Sequence, residues 1–132
     1  MERVGIESLS ERRMSLLSGG MRQRAYIAMA LAQDTDYILL DEPMTYLDIK
    51  NQMSLIRLLR ELAADGHGIC AVMHDLSLAF TFCDRIIVLD NGSIVTEGTP
   101  SELCRSEEIK RIFGITLTPT ECGYSYSSIL DF

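Results

Sequence analysis

Tyr37-Ile38-Leu39-Leu40-Asp41-Glu42-Pro43 is an apolar run that ends on two adjacent carboxylates and is closed by a proline. Four apolar residues without alternation predict a strand buried on both faces, as in the middle of a parallel sheet. Pro43 has no N–H to give to a ladder, so the strand must end there. Open α/β sheets collect their ligands at the carboxyl ends of strands, which is where Asp41 and Glu42 stand. Such a pair suits phosphoryl transfer to water: the first carboxylate can hold a metal ion and the second can polarise the attacking water. Taken singly, the same residues also suit a polar strand exit followed by a turn.

Working outward, the residues on either side supply two more marked stretches. Upstream, Leu17-Ser18-Gly19-Gly20-Met21-Arg22-Gln23-Arg24 leads into the apolar Ala25 to Ala32. Ser18 is a good N-cap and the alanine-rich segment behind it favours helix. Apolar residues on both sides of that segment predict a helix buried nearly all round. Two glycines are a costly way to begin a helix unless something approaches the backbone. Free N–H groups, the Ser18 hydroxyl and the positive end of the dipole could together hold a phosphate, and an anion there would explain Arg22 and Arg24. A glycine-containing turn into a core helix is the plainer alternative.

Downstream, Met44 to Leu47 leaves the strand and Asp48 caps a helix with a Leu55, Leu58, Leu59, Leu62 stripe. Asp65-Gly66 ends it. Ile69 to Met73 is a second unbroken apolar strand, again stopped by a polar pair, His74-Asp75. Strand, helix and strand of this length form a βαβ unit with parallel strands, so His74 falls at the same sheet edge as Asp41 and Glu42. His67, in a Gly-His-Gly turn, reads as structural. A short helix from Leu76 to about Phe82, a strand from Arg85 to Leu89 and an Asp90-Asn91-Gly92 hairpin turn follow. Thr99-Pro100-Ser101-Glu102 is a capping box with proline at the first helical position, Ser106 caps another helix closed by Gly114, and the tail suggests a small hairpin. At the other end, Met1 to Val4 reads as a last helical turn stopped by Gly5.

The totals narrow the function classes. With 132 residues, 47% apolar and 23% charged, the chain is an ordinary globular domain or part of one. A net charge of -7 argues against nucleic acid as partner. Cys70, Cys83, Cys104 and Cys122 form no C-x-x-C pair, which argues against a zinc or redox motif. The longest apolar run falls far short of the roughly 20 residues that cross a bilayer. Met1-Glu2-Arg3-Val4 does not read as a secretory leader. The sequence holds no G-x-x-x-x-G-K-[ST] phosphate loop.

From about Leu16 to Leu103 the chain resembles the nucleotide-binding subunits of ATP-binding cassette (ABC) transporters. Leu17-Ser18-Gly19-Gly20 is similar to the family signature, Tyr37 to Glu42 to its Walker B strand, Tyr46-Leu47-Asp48 to its D-loop, and His74 to its switch histidine. Asp34 to Pro43 and Gly98 to Leu103 are most similar to the branch serving iron-chelate and cobalamin uptake. The resemblance implies an α/β fold: an incomplete, P-loop NTPase-like, mostly parallel sheet with flanking helices, an antiparallel hairpin and small C-terminal helices. It implies that residues 1-132 form a single C-terminal part of an ABC-type ATPase domain. Asp41 would support Mg²⁺, Glu42 would polarise water, and His74 would contact the γ-phosphate of ATP. Ser18, Gly19 and Gly20 would touch the nucleotide of an opposite subunit in a dimer, and Asp48 would communicate across that interface. A membrane-embedded permease would hold the subunit at the cytoplasmic side.

Two departures bear on this. Met21 replaces the glutamine usual after the second glycine, which removes a polar side chain but leaves the backbone cradle. The phosphate loop, the adenine-stacking aromatic and the lid glutamine have no counterpart here, so the polypeptide alone is expected not to hydrolyse ATP. A non-catalytic module that binds a transporter subunit or self-associates through an apolar sheet edge is the alternative.

Overall fold

A computed structural model describes residues 4–7, 10–121 and 123–128. Two compact units divide the chain, Met1–His74 and Asp75–Phe132.

In the first unit, a 3₁₀ turn at Met14–Leu16 precedes helix α1, Gly19–Leu31, which starts at the Ser18 cap. Strand β1, Tyr37–Asp41, leads through a tight loop to helix α2, Ile49–Ala64, and then to strand β2, Gly68–Val72. The predicted βαβ unit is parallel, with Tyr37 opposite Gly68 and Asp41 opposite Val72. Helix α2 forms because Asp48 caps it and because its apolar residues fall on one side. Leu55, Ile56, Leu58, Leu59 and Leu62 are all buried, at about 1.5–3 kcal/mol of transfer free energy each. The helix packs against β2 and α1.

Two burial expectations are corrected. Strand β1 is covered on one face only: Ile38 is 2% exposed, whereas Tyr37 and Leu39 are 72% and 78% exposed. Tyr37 and Leu39 share their face with the register partners Gly68, Cys70 and Val72, so the open side runs across both strands. Helix α1 is not buried all round either, since Ile27 is its one buried residue and Tyr26 and Met29 face solvent. An apolar run specifies what can be covered, while the number of neighbouring layers decides what is.

In the second unit, helix α3, Leu76–Phe82, is capped by Asp75. Strands β3, Ile86–Asp90, and β4, Ser93–Gly98, pair antiparallel through a turn in which Asn91 and Gly92 both have positive φ, 48° and 76°. Helix α4, Pro100–Leu103, carries the expected Thr99–Glu102 capping box. Helix α5, Glu107–Phe113, starts at Ser106 and stops at left-handed Gly114. Strands β5, Ile115–Thr120, and β6, Gly123–Ser128, form a second antiparallel hairpin. Phe80, Val88, Leu103, Cys104, Ile109 and Leu117 make the core of this unit. Burial, and then the Asp84 charge, push the Cys83 thiol up, away from the reactive thiolate.

Among the described residues the fold is thus α/β, with the expected parallel strand pair and two antiparallel hairpins. The helical turn expected over Met1 to Val4 lies mostly outside the described residues. No helix among the described residues is long and apolar enough to cross a membrane.

Candidate functional site

Because β1 and β2 run parallel and end level, at Asp41 opposite Val72, whatever follows each strand emerges at one edge. The chain turns sharply at Glu42, whose φ is +45°, a left-handed conformation that side-chain-bearing residues rarely adopt. The turn is anchored on both sides: Glu42 N–H donates to the Val72 carbonyl, and Thr45 N–H donates to the Glu42 carbonyl. Pro43 and Met44 are buried beneath it.

This turn brings Glu42 onto His74. The imidazole Nε2 lies 2.6 Å from Glu42 Oε1, and Thr45 Oγ1 donates to Oε2 at 3.0 Å. Both carboxylate oxygens are therefore engaged. These hydrogen bonds, His74 first and Thr45 second, hold the Glu42 carboxyl below its ordinary range, against a smaller opposing effect of burial. The pair is open to water, with side-chain exposures of 73% for His74 and 40% for Glu42. Near neutral pH, Glu42 is accordingly an ionised, solvent-accessible acceptor with a fixed orientation.

Asp41, beside it, is exposed, and its side chain has no hydrogen-bond or ion-pair partner among the described residues. No group of three or more His, Cys, Asp or Glu side chains suited to a metal ion occurs among the described residues. A single carboxylate does not make an all-protein cage, so a cation held by Asp41 would take most of its ligands from elsewhere.

The Ser18-Gly19-Gly20 turn is placed differently. Ser18 Oγ accepts from Met21 N–H at 3.4 Å, as an N-cap should. No hydrogen bond joins this turn to Glu42 or His74 among the described residues. It lies instead against the loop after β1: a Cβ built on Gly19 would sit 3.6 Å from Leu47 and 3.7 Å from the Tyr46 carbonyl. One built on Gly20 would fall 2.9 Å from Asn51 Oδ1, closer than real Cβ contacts, so a side chain there would displace the Asn51 carboxamide. Asp48 caps α2 through Asn51.

Arg24 is corrected as a candidate anion partner, because its guanidinium is used internally, donating to the Val4 carbonyl and to Ser54 Oγ. Arg22 stays exposed. His67 is structural as expected, with Nδ1 at 3.2 Å from the Thr35 carbonyl. Thr45 and Asn51 were not singled out from sequence, although each stands three residues after the carboxylate it bonds, a spacing that hydroxyl and amide side chains favour.

Comparison with known proteins bears on this arrangement. The family described as ABC transporter matches residues 1–45. The ferric enterobactin transport ATP-binding protein FepC of Escherichia coli is 47% identical over 116 residues, covering 87% of this chain and 43% of that protein. The iron(3+)-hydroxamate import ATP-binding protein FhuC of Bacillus subtilis is 43% identical over 116 residues, covering 87% of this chain and 43% of that protein. The chain thus spans less than half the length of these curated relatives. Among solved structures, cbiO1 from Clostridium perfringens, part of the ABC transporter complex cbiONQ, superposes with a TM-score of 0.71 at 30% identity, covering 83% of this chain and 44% of that one. With sequence and fold shared over most of its own length, the chain corresponds to a part of the ATP-binding subunits of ABC transporters.

Proposed function

We propose that residues 1-132 act as the carboxyl-terminal part of an ATP-hydrolysing subunit that powers uptake of an iron chelate or a related metal complex. The observation that carries this reading is the His74–Glu42 contact of 2.6 Å at the end of the parallel strand pair. Glu42, held below the ordinary carboxylate range, is a weak base. It orients and polarises a water in line with the γ-phosphate rather than deprotonating it beforehand. His74 keeps the Glu42 carboxylate in one rotamer and presents an exposed imidazole edge to the phosphate. Asp41 is the residue that would hold Mg²⁺, which when bound neutralises charge on the β- and γ-phosphate oxygens. Ser18, Gly19 and Gly20 offer backbone N–H groups to the γ-phosphate of a nucleotide held mainly by a second subunit, and Asp48 faces that subunit. The working assembly is a dimer on the cytoplasmic side of a membrane-embedded permease.

The test is a chimeric subunit in which this chain replaces the corresponding part of the E. coli ferric enterobactin transport ATP-binding protein. The chimera is expected to hydrolyse ATP with Mg²⁺ and to support ferric enterobactin uptake. Glu42→Gln should lower turnover by roughly 10²–10⁴. The isolated chain, which lacks the phosphate-loop motif, should show no turnover. A chimera whose turnover is untouched by Glu42→Gln would overturn the reading.

A second reading, a non-catalytic module, draws support from the exposed apolar face of Tyr37, Leu39 and Val72. Concentration-dependent self-association of the isolated chain, together with an inactive chimera, would favour it.

A further inference from the structure

Besides the approach of Gly19 to Leu47 and Tyr46, the side chain of Asn51 lies between the loop that leaves β1 and the turn that opens α1. Asp48 Oδ1 accepts from the Asn51 backbone N–H at 2.8 Å, and Asp48 Oδ2 accepts from the Asn51 carboxamide Nδ2 at 3.0 Å. Both oxygens of Asp48 are thus committed to Asn51. The other end of the same carboxamide lies over Gly20, with Oδ1 and Cγ 2.9 and 3.0 Å from where a Cβ would stand. Asn51 therefore fills the gap between Asp48 and the Gly20 backbone. Further along, Arg24 on α1 donates to Ser54 on α2, which fixes the two helices to each other beyond this contact. Asn51 thus stands between the two helix starts.

We propose that Asn51 is a positioning residue that couples Asp48 to the Ser18-Gly19-Gly20 turn within one chain, so that a displacement of Asp48 also displaces the Gly20 backbone. A planar carboxamide hydrogen-bonded at one end and in van der Waals contact at the other transmits motion in either direction. By reciprocity, an anion held at the glycine turn restrains Asp48 as much as Asp48 restrains the turn. The functional meaning of this link rests on the nucleotide reading above, in which the turn meets phosphate and Asp48 faces the second subunit. The physical link does not.

A double-mutant cycle on the whole 132-residue chain, read by the ¹H–¹⁵N cross-peak of Gly20, tests it. Asp48→Asn keeps an N-capping side chain but removes the charge that Asn51 binds. It should shift the Gly20 peak in the native background and leave it unmoved in an Asn51→Ala background. Asn51→Asp keeps the shape and the backbone donor but turns the amide donor into a repelling carboxylate. It should shift Gly20 by itself, and it replaces Asn51→Ala if that variant does not fold. A merely structural role would spread the changes to the α2 core amides of Leu58 and Leu62, which should stay in place. Equal Gly20 shifts from Asp48→Asn in both backgrounds, or none in either, would overturn the coupling. An inactive chimera with the cycle intact would sink the nucleotide reading alone, whereas an additive cycle in an active chimera would sink the coupling alone.

Discussion

The two units use apolar side chains differently. In Asp75–Phe132, two hairpins and three short helices gather Phe80, Val88, Leu103, Cys104, Ile109 and Leu117 into one core. In Met1–His74, the parallel pair buries Ile38 and leaves Tyr37, Leu39 and Val72 in solvent. The difference follows from how strands are joined. A hairpin is closed by two residues such as Asn91-Gly92 and finds its covering helices nearby, whereas a parallel pair needs a crossover, and one crossover helix covers one face. The closed unit is where substitutions should tell on stability, and the open unit is where they should tell on chemistry and association.

The largest stability effect is expected from Phe80→Ala. Phe80 is 1% exposed and meets the Tyr124 ring edge-to-face at 5.6 Å between centroids. Its removal should cost about 3–5 kcal/mol by denaturant unfolding. The His74 ring signals should keep their native shifts at denaturant concentrations where the Tyr124 signals have gone. Simultaneous loss of both sets would show one cooperative body and dissolve the comparison.

A pair of neighbours on β1 sharpens the contrast between covered and open faces. Ile38→Ala should cost about 2–5 kcal/mol. Leu39→Thr, at a residue 78% exposed, should stay within about 0.5 kcal/mol. It should instead weaken any concentration-dependent association seen by analytical ultracentrifugation. A large loss of stability from Leu39→Thr would mean that this face is covered after all.

The smallest effect lies in the α4 capping box. The Thr99 backbone N–H, at 2.7 Å, and then the Thr99 hydroxyl hold the Glu102 carboxyl below its ordinary range. A carboxyl whose folded value lies below its unfolded one stabilises the fold fully above the unfolded value, about 4.3 for glutamate. That contribution is lost as pH falls through the folded value. Glu102→Gln should therefore reduce slightly the drop in melting temperature between pH 7 and pH 3, and an unchanged drop would remove Glu102 from the acid response.

Much of the local structure was legible because it is written in short-range chemistry. Ser18, Asp48, Thr99 and Ser106 all cap the helices expected of them, the Leu55 to Leu62 stripe is buried, and Asn91-Gly92 turns the hairpin. The shared edge of Glu42 and His74 followed from the parallel register, which strand and helix lengths imply. The extent of burial was not legible. The residues of β1 and α1 are apolar on more than one side, and nothing in Tyr37 or Met29 itself says whether a further layer lies over it. The fine positioning by Thr45 and Asn51 also escaped, because polar residues in a loop have many local partners and only the folded turn selects one.

The left-handed backbone at Glu42 has a consequence for how this chain tolerates change. Glycine or asparagine would relieve the conformation at φ +45°, so drift toward greater stability has an easy route at this position. Either replacement deletes the carboxylate that His74 and Thr45 hold. On the proposed function, a library screened for thermal tolerance alone would enrich inactive variants at residue 42, and a library screened for uptake would retain the strained glutamate.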